Sequence, residues 1–307
     1  MEENVRNHPV RSAFGKLFKN KLATVCFFLL IIEIVLVILA PVIAPYGYDE
    51  ADPSIKLRPG FWAQWTVSDD PESPRYSNNP KDFYEPGHLL GTDDLGRDVL
   101  SRLLYGGRVS LTVGFVSTLM GLSIGVVCGL LAAYYKRLDN IIMRVMDLLF
   151  AFPSILLAML VIAMLGVNTF NTMLAISIWS VPSFARMVRG RALQVKEEDY
   201  IMATRSLGAK DSRILLHILK NCLPVIIVIA TMRMATSIIS ISTLSYLGMG
   251  VTPPQPEWGG MIASAKSFMW ERPSLIFVPG AAVMLTVICF NVLGDKLRDI
   301  LDPSLKD

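Results

Sequence analysis

The sequence has 307 residues, of which 52% are hydrophobic and 18% charged, with mean hydropathy +0.47 and net charge +3. Soluble domains of this size are about 25% charged, so the composition excludes an ordinary soluble protein. It indicates an all-α integral membrane protein, because a helix satisfies its own backbone hydrogen bonds in lipid.

Six apolar runs approach or exceed the about 20 helical residues that a bilayer core requires. The first is too long for the apolar region of a signal peptide, and no clean cleavage site follows it, so we expect a retained span. The sequence therefore predicts six transmembrane helices. They cover Leu22–Ile43, Val109–Tyr135, Leu148–Gly166, Phe170–Ala185, Cys222–Leu247 and Ser274–Gly294.

Lysine and arginine near the ends of spans predict their orientation. Basic residues are frequent in the N-terminal lead 1–21, after the second span, in the loop 186–222 and near the tail 299–307. In a six-span chain these segments lie on one side, which we expect to be cytoplasmic, with both termini inside. Three arginines on the opposite side argue against this, and nearby aspartates offset them: Arg97, Arg102 and Arg108, with Asp93, Asp94 and Asp98.

The extracytoplasmic segment 44–90 contains seven prolines that exclude long helices, so we expect it to be irregular. Its aromatic side chains indicate packing on the protein's own outer surface, on membrane lipid or on a partner protein.

Residues 91–108 predict a short interfacial amphipathic helix before the second span. Thr92 is the expected N-cap, Asp98 and Arg102 are spaced as an ion pair, and Gly106–Gly107 would end the helix. Within the second span, Gly121, Gly125 and Gly129 form a stripe that permits close approach of another helix, in this chain or in a partner.

The stretch DYIMATRSLGAKDSR, Asp199–Arg213, is polar and lies between two apolar runs. We expect Asp199 to cap a helix Tyr200–Leu207 that Gly208 ends, and Asp211 or Ser212 to cap a second helix as far as Asn221. From spacing alone, the stretch could also be simply the longest inside loop.

This stretch resembles the EAA loop in the membrane subunits of binding-protein-dependent ATP-binding-cassette (ABC) importers. The matching residues are Ala203, Thr204, Gly208 and the pair Leu223–Pro224. Three positions depart from the usual motif. Met202 replaces a glutamate, Thr204 replaces the second alanine, and Lys220 lies where close relatives often have proline.

Three other stretches resemble the C-type permease subunit of dipeptide and oligopeptide importers, so that the resemblance covers about Gly91–Leu301. They are GTDDLGRDVLSRLLYGGRVSL (91–111), MDLLFAFPSILLAM (146–159) and YLGMGVTPPQPEWGGMI (246–262).

The resemblance implies a type I ABC importer permease architecture, with the permease domain over 109–298, in the cytoplasmic (inner) membrane of a bacterium or archaeon. It implies a heterodimer with a second, homologous permease subunit, two cytoplasmic ATPase subunits, an extracytoplasmic solute-binding protein and a peptide substrate. The coupling helix that docks on an ATPase would use Tyr200, Ala203, Thr204, Leu207 and Gly208.

The sequence contains no GxxxxGK[ST] phosphate loop, and it lacks Ser/His/Asp, Cys/His and metal-ligand clusters. We therefore expect a non-catalytic subunit without a cofactor of its own, whose partner ATPases bind ATP and Mg²⁺. No feature points to nucleic acid. The four cysteines form no paired motif and are expected to pack as small apolar residues.

An ionisable residue within a span costs about 2.5–3.5 kcal/mol and is often functional. Arg233 lies in a fifth span rich in hydroxyl groups, so we expect Arg233, Ser237 and Ser240 to line part of the translocation pathway. Alternatively, Arg233 forms an ion pair between helices, for which Glu33 is a candidate partner, or extends to the membrane surface.

Other functions remain open at this stage. An importer of this architecture could carry a nickel chelate, glutathione or another small solute instead of peptides. A six-span secondary transporter or channel would need no ATPase, and a membrane scaffold or receptor subunit would transport nothing. Co-purification of ATPase subunits separates these classes.

Overall fold

The computed structural model describes residues 18, 20–73 and 75–301, and these contain helices and no strand. Short 3₁₀ turns and irregular segments connect the helices. The helices are α1 (Lys21–Ile38), α2 (Ala40–Ile43), α3 (Ala63–Thr66), α4 (Val99–Tyr134), α5 (Lys136–Ala151), α6 (Ser154–Leu165), α7 (Thr169–Lys196), α8 (Asp199–Ser206), α9 (Asp211–Tyr246), α10 (Trp258–Ala265) and α11 (Ser274–Leu301).

The all-α membrane fold predicted from composition is confirmed. Helices α1, α4, α9 and α11 are each long and apolar enough to cross a membrane, and the pair α5–α6, bent by 94°, could form a fifth span. Helix α7 falls outside this group in the described chain because its second half carries Arg186, Arg189, Arg191 and Lys196. The count of six spans therefore stays a prediction.

The separate interfacial helix predicted over 91–108 is wrong. Helix α4 begins at Val99, where the carboxylate of Asp98 caps it by accepting a hydrogen bond from the Ser101 N–H at 2.6 Å, and it continues through both glycines. Gly106 and Gly107 stay helical because the Trp258 ring packs closely against them. The expected cap, Thr92, instead holds the chain before α4 against the predicted extracytoplasmic segment 44–90, which we call the outer segment. Its hydroxyl accepts from the Arg58 N–H and donates to the Ile55 carbonyl.

The predicted pair of Asp98 with Arg102 is also wrong. Asp98 is buried and contacts the imidazole of His88 at 3.0 Å. Arg102 turns instead to the carboxylate of Asp93 at 3.4 Å and donates to the Tyr48 carbonyl at 2.9 Å. Both side chains therefore hold the outer segment against the start of α4.

The outer segment packs largely on its own chain, which was one of the three alternatives. The rings of Tyr46 and His88 stack at 4.5 Å. The guanidinium of Arg272, just before α11, donates to the Leu57 carbonyl at 2.7 Å and to the Asp82 carboxylate at 2.7 Å. These contacts fix the segment to the outer ends of α4 and α11.

The glycine stripe of α4 packs on α7 of the same chain. A Cβ added at Gly129 would lie 2.6 Å from the carbonyl oxygen of Ala185, and one added at Gly125 would lie 2.8 Å from that of Val181. These backbone atoms leave no room for a side chain, so the stripe sets the distance between the two helices.

Helix α1 packs along α11 through the buried side chains of Ala23, Cys26, Leu30, Cys289 and Leu293. The carboxyl group of Glu33 meets the hydroxyl of Thr286 in this interface. Glu33 is therefore engaged with α11, and the described structure contains no Glu33–Arg233 ion pair. All four cysteines are free, as expected for packing residues.

Candidate functional site

Helix α8 and the bend at Gly208 connect the polar end of α7 to the start of α9. Gly208 adopts φ +75°, which glycine reaches without the strain of a Cβ. Its N–H donates to the Arg205 carbonyl at 2.9 Å, and the Ala209 N–H donates to that of Thr204 at 3.3 Å. The prediction that a helix ends at Gly208 is confirmed within two residues.

The predicted N-caps of this region are wrong. Glu198 precedes α8 and Lys210 precedes α9, and neither side chain caps its helix. Asp199 and Asp211 are the first helical residues, where an acidic side chain still favours the positive end of the helix dipole. Asp211 accepts from the hydroxyl of Tyr134 at 2.7 Å and from that of Tyr135 at 2.9 Å.

The second helix does not end at Asn221. It continues through Pro224 as α9, a single helix of 36 residues. Proline removes one backbone hydrogen bond, a loss that neighbouring helices can compensate in membrane proteins. The bend at Gly208 is consequently followed by a continuous helix that runs into an apolar span.

One side of α8 is anchored in the protein. Ile201 is buried in a cluster with Val195 of α7 and with Ile214 and Ile218 of α9. Nearby, the ammonium of Lys196 donates to the carbonyls of Ala133 and Tyr134, both at 3.0 Å. This anchoring holds α8 in a fixed position relative to α4, α7 and α9.

Much of the rest of α8 is exposed, and its apolar side chains lie beside the charged Asp199 and Arg205. Leu207 is 88% exposed, Met202 52% and Tyr200 44%. Ala203 and Gly208 are also exposed, whereas Thr204 is half-buried and donates to the Tyr200 carbonyl at 2.6 Å. Four of the five predicted coupling residues are thus accessible. Tyr200, Ala203 and Leu207 are spaced i, i+3 and i+7 and share one side of the helix, and with Gly208 they form what we call the α8 face.

Met202 was not among the predicted coupling residues. It is exposed, but its spacing of two residues from Tyr200 places it on another flank of α8. Partial desolvation raises the pKa of the Tyr200 phenol, and the nearby carboxylate of Glu198 acts in the same direction. The hydroxyl therefore stays neutral at physiological pH, and the face carries no charge of its own.

The residues predicted for the pathway share one face of α9, at i, i+4 and i+7, but each has a different partner. Arg233 donates to the hydroxyl of Ser183 and lies 5.1 Å above the Trp179 ring, both on α7. Ser237 is buried and its hydroxyl lies 3.0 Å from that of Thr118 on α4. Ser240 is half-buried and donates to the Thr236 carbonyl within its own helix. Their role in the pathway stays a prediction.

A cavity of about 910 Å³ lies between α7, α9 and the end of α11, and sequence reasoning missed it. Arg186, Arg191, Gln194 and Arg298 supply its polar wall, and α9 supplies an apolar wall from Val225 to Met232. Arg186 is partly neutralised by Asp147 at 2.6 Å. The two walls come from helices far apart in sequence, so no local pattern indicated the cavity.

Long apolar helices, a cationic cavity between them and a short exposed helix at one end are typical of a helical membrane transport subunit. Residues 125–307 match the family described as "Binding-protein-dependent transport system inner membrane component", and residues 8–59 match the N-terminal transmembrane domain of oligopeptide transport permease C. The chain belongs to this family of inner membrane permeases. It is a multi-pass, non-catalytic subunit of an ABC transporter.

Curated relatives support the same assignment. The chain is 47% identical over 248 residues to the glutathione transport system permease protein GsiD of Pectobacterium atrosepticum, covering 80% of this chain and 82% of the relative. It is 40% identical over 300 residues to the dipeptide transport system permease protein DppC of Alkalihalophilus pseudofirmus, covering 97% and 91%.

Solved structures show the fold. An inward-facing conformation of the MetNI methionine ABC transporter superposes with a TM-score of 0.54 at 19% identity, covering 65% of this chain and 96% of that chain. A second crystal form gives a TM-score of 0.53. The family match and the curated relatives confirm the resemblance to ABC importer permeases that the EAA loop indicated.

Proposed function

We propose that this chain is one of two different permease subunits in an ATP-driven importer of di- or oligopeptides. The α8 face is the observation that carries the coupling role: an uncharged, exposed surface, anchored from behind by Ile201 and joined to a span by continuous helix. A short helix with an exposed apolar face suits a groove on another protein. In this proposal the groove belongs to a cytoplasmic ATPase.

The proposed coupling follows from this connection. Two ATPase subunits bind ATP and Mg²⁺, and their closure moves the groove that holds the α8 face. Since α9 runs unbroken from Asp211 to Tyr246, that motion shifts the span relative to α4 and α7. A solute-binding protein delivers the substrate at the outer side. The basic residues of 186–222 support a cytoplasmic position for this end and for both termini.

Glutathione is the second candidate substrate. Relatives named as glutathione permeases align over 248 residues, whereas the relative named as a dipeptide permease aligns over 300 and includes the N-terminal part. The match of residues 8–59 to oligopeptide permease C favours peptides. Glutathione is itself a short peptide with free carboxylates, so both candidates require similar chemistry from the pathway.

Replacement of Leu207 tests the docking role. Because its side chain is 88% exposed, we expect Leu207→Ser to leave the fold intact and to reduce co-purification of the tagged ATPase subunits severely. Leu95→Ser is the matched control, since Leu95 is 43% exposed at the opposite end of the molecule. Gly208→Pro is a second variant, because proline fixes φ near −65° and cannot adopt the bend.

Wild-type levels of ATPase in preparations of both Leu207→Ser and Gly208→Pro would refute docking through the α8 face. Equal loss in Leu95→Ser would show that the effect is a general response to removing a leucine.

A further inference from the structure

Of the three arginines in the outer part of the chain that argue against the predicted orientation, the structure accounts for two. Arg97 bonds the Asp93 carboxylate at 2.7 Å, and Arg102 contacts the same carboxylate and the Tyr48 carbonyl. Both support the fold of the outer segment. The third, Arg108, is exposed on α4, and within the described residues its guanidinium has no hydrogen bond or ion pair.

Arg108 lines a cavity of about 350 Å³ that is separate from the cavity between α7, α9 and α11. Tyr48 and Tyr105 form an aromatic wall, with ring centroids 5.3 Å apart in an edge-to-face arrangement. Thr112, Thr169 and Gln255 contribute polar groups. We call this space the Arg108 cavity. A volume of this size accommodates a short peptide or the end of a longer one.

The electrostatics of the Arg108 cavity favour an anion. Arg108 is the one charged residue among the described residues that line it. Thr169, which also lines the cavity, is the first residue of α7, a helix of 28 residues. The Asn168 side chain caps this helix by accepting from the Asn171 N–H at 2.8 Å, and the helix dipole gives this end a partial positive charge. A guanidinium and a helix N-terminus thus line the same cavity.

We infer that the Arg108 cavity binds the terminal carboxylate of the transported substrate, with Arg108 as a specificity-determining residue. A planar guanidinium pairs with a carboxylate through two parallel hydrogen bonds. The aromatic wall then contacts the adjoining part of the chain, and Gln255 and Thr112 offer hydrogen bonds to its amides. This inference rests on the proposed function, and it holds for either candidate, because peptides and glutathione both end in a carboxylate.

The test compares uptake of a labelled alanine dipeptide with uptake of its C-terminal amide. The complete importer, with its second permease, ATPases and binding protein, is reconstituted in proteoliposomes. The same binding protein serves every permease variant, so its own preference cancels when acid-to-amide ratios are compared. Glutathione and its glycine amide form a second substrate pair for the case in which the dipeptide is not taken up.

For Arg108→Gln we expect the acid-to-amide uptake ratio to fall about 10-fold or more, the loss that corresponds to removing a charge-assisted hydrogen bond. Arg108→Lys keeps the charge but loses the planar guanidinium that makes two parallel hydrogen bonds, so it should give an intermediate ratio. Arg75→Gln is the matched control, because Arg75 lies in the outer segment and donates to the Trp65 carbonyl, outside the cavity. Its ratio should match that of the wild type.

An unchanged ratio in Arg108→Gln overturns the inference, whether uptake stays normal or falls equally for acid and amide. Equal falls in Arg108→Gln and Arg75→Gln also overturn it, since they would reflect the overall charge of the outer surface. If the wild-type importer takes up neither substrate pair, the proposed function fails and the inference falls with it. Failure of the proposed function is measured in the wild type alone, whereas failure of the inference appears only in the variants, so the two are distinguishable.

Discussion

Arg272 shows how single side chains hold this molecule together outside its spans. Its guanidinium bonds the Leu57 and Lys81 carbonyls and the Asp82 carboxylate, at 2.7, 2.8 and 2.7 Å. One residue therefore connects two distant parts of the outer segment to the start of α11. The hydrogen bond from Arg272 is the main cause that lowers the pKa of Asp82 below its ordinary value, and a bond from Ser77 adds to it.

The lowered pKa of Asp82 predicts a pH dependence. The folded protein holds this carboxyl ionised at pH values where the unfolded chain would protonate it, so the contact stabilises the fold above the ordinary carboxyl pKa. The contribution is lost as pH falls through the lowered, folded-state pKa. We expect Asp82→Asn to reduce thermal stability at neutral pH, with the difference from wild type vanishing in acid.

Melting curves of the purified protein at several pH values measure this effect. Asp69→Asn is the control, because Asp69 is exposed and makes no ion pair within the described structure. A deficit in Asp82→Asn that stays constant down to strongly acidic pH would contradict an ionic contribution.

At the scale of elements, the contact between α4 and α7 organises the fold. Gly121, Gly125 and Gly129 bring the helices together, and helix α8 follows directly from the end of α7. A side chain added to the stripe forces the helices apart or displaces backbone atoms, which costs about 1–3 kcal/mol in a well-packed interior.

Gly125→Ala should therefore lower the melting temperature of the detergent-purified protein by several degrees. Gly190→Ala is the matched control. Gly190 also lies within a helix, α7, but a Cβ there meets no atom within 4 Å, so alanine should be neutral or stabilising through its better helix propensity. Equal stability of the two variants would contradict the role assigned to the stripe.

The sequence predicts the apolar elements well and their ends poorly. Apolar content located the cores of the spans, and Gly208 located the bend, because glycine is required where φ is positive. The continuation of α7 and α9 beyond the apolar runs was missed, since polar helical turns outside the bilayer resemble loop sequence. Gly106–Gly107 was interpreted as a helix end because the Trp258 ring that packs on it lies about 150 residues away in sequence.

The candidate site also contains some residues that the sequence predicts and others that it does not. The α8 face was predictable because its residues are local in sequence and match a family motif. The positions of Arg233 and Ser237 were not, because hydroxyl-rich spans can face either a pathway or a neighbouring helix. Thr118 and Ser183, which engage these side chains, belong to α4 and α7. The cavity between α7, α9 and α11 and the Arg108 cavity likewise depend on tertiary packing alone.

At the scale of the whole molecule, the chain is one subunit of an ABC transporter. Its described residues include the exposed α8 face at one end, the Arg108 cavity near the outer segment, and continuous helices between them. The chain belongs to a family of non-catalytic ABC transporter permease subunits, and this family implies ATPase partners that supply the free energy for transport. A secondary transporter or channel would instead take its energy from a gradient across the membrane.

The most direct test is uptake of labelled dipeptide and glutathione into proteoliposomes that contain this chain, its second permease, the ATPases and the binding protein. We predict uptake that requires both hydrolysable ATP and the binding protein, and that is lost in Leu207→Ser. Uptake by this chain alone, driven by an ion gradient and indifferent to ATP, would contradict the account.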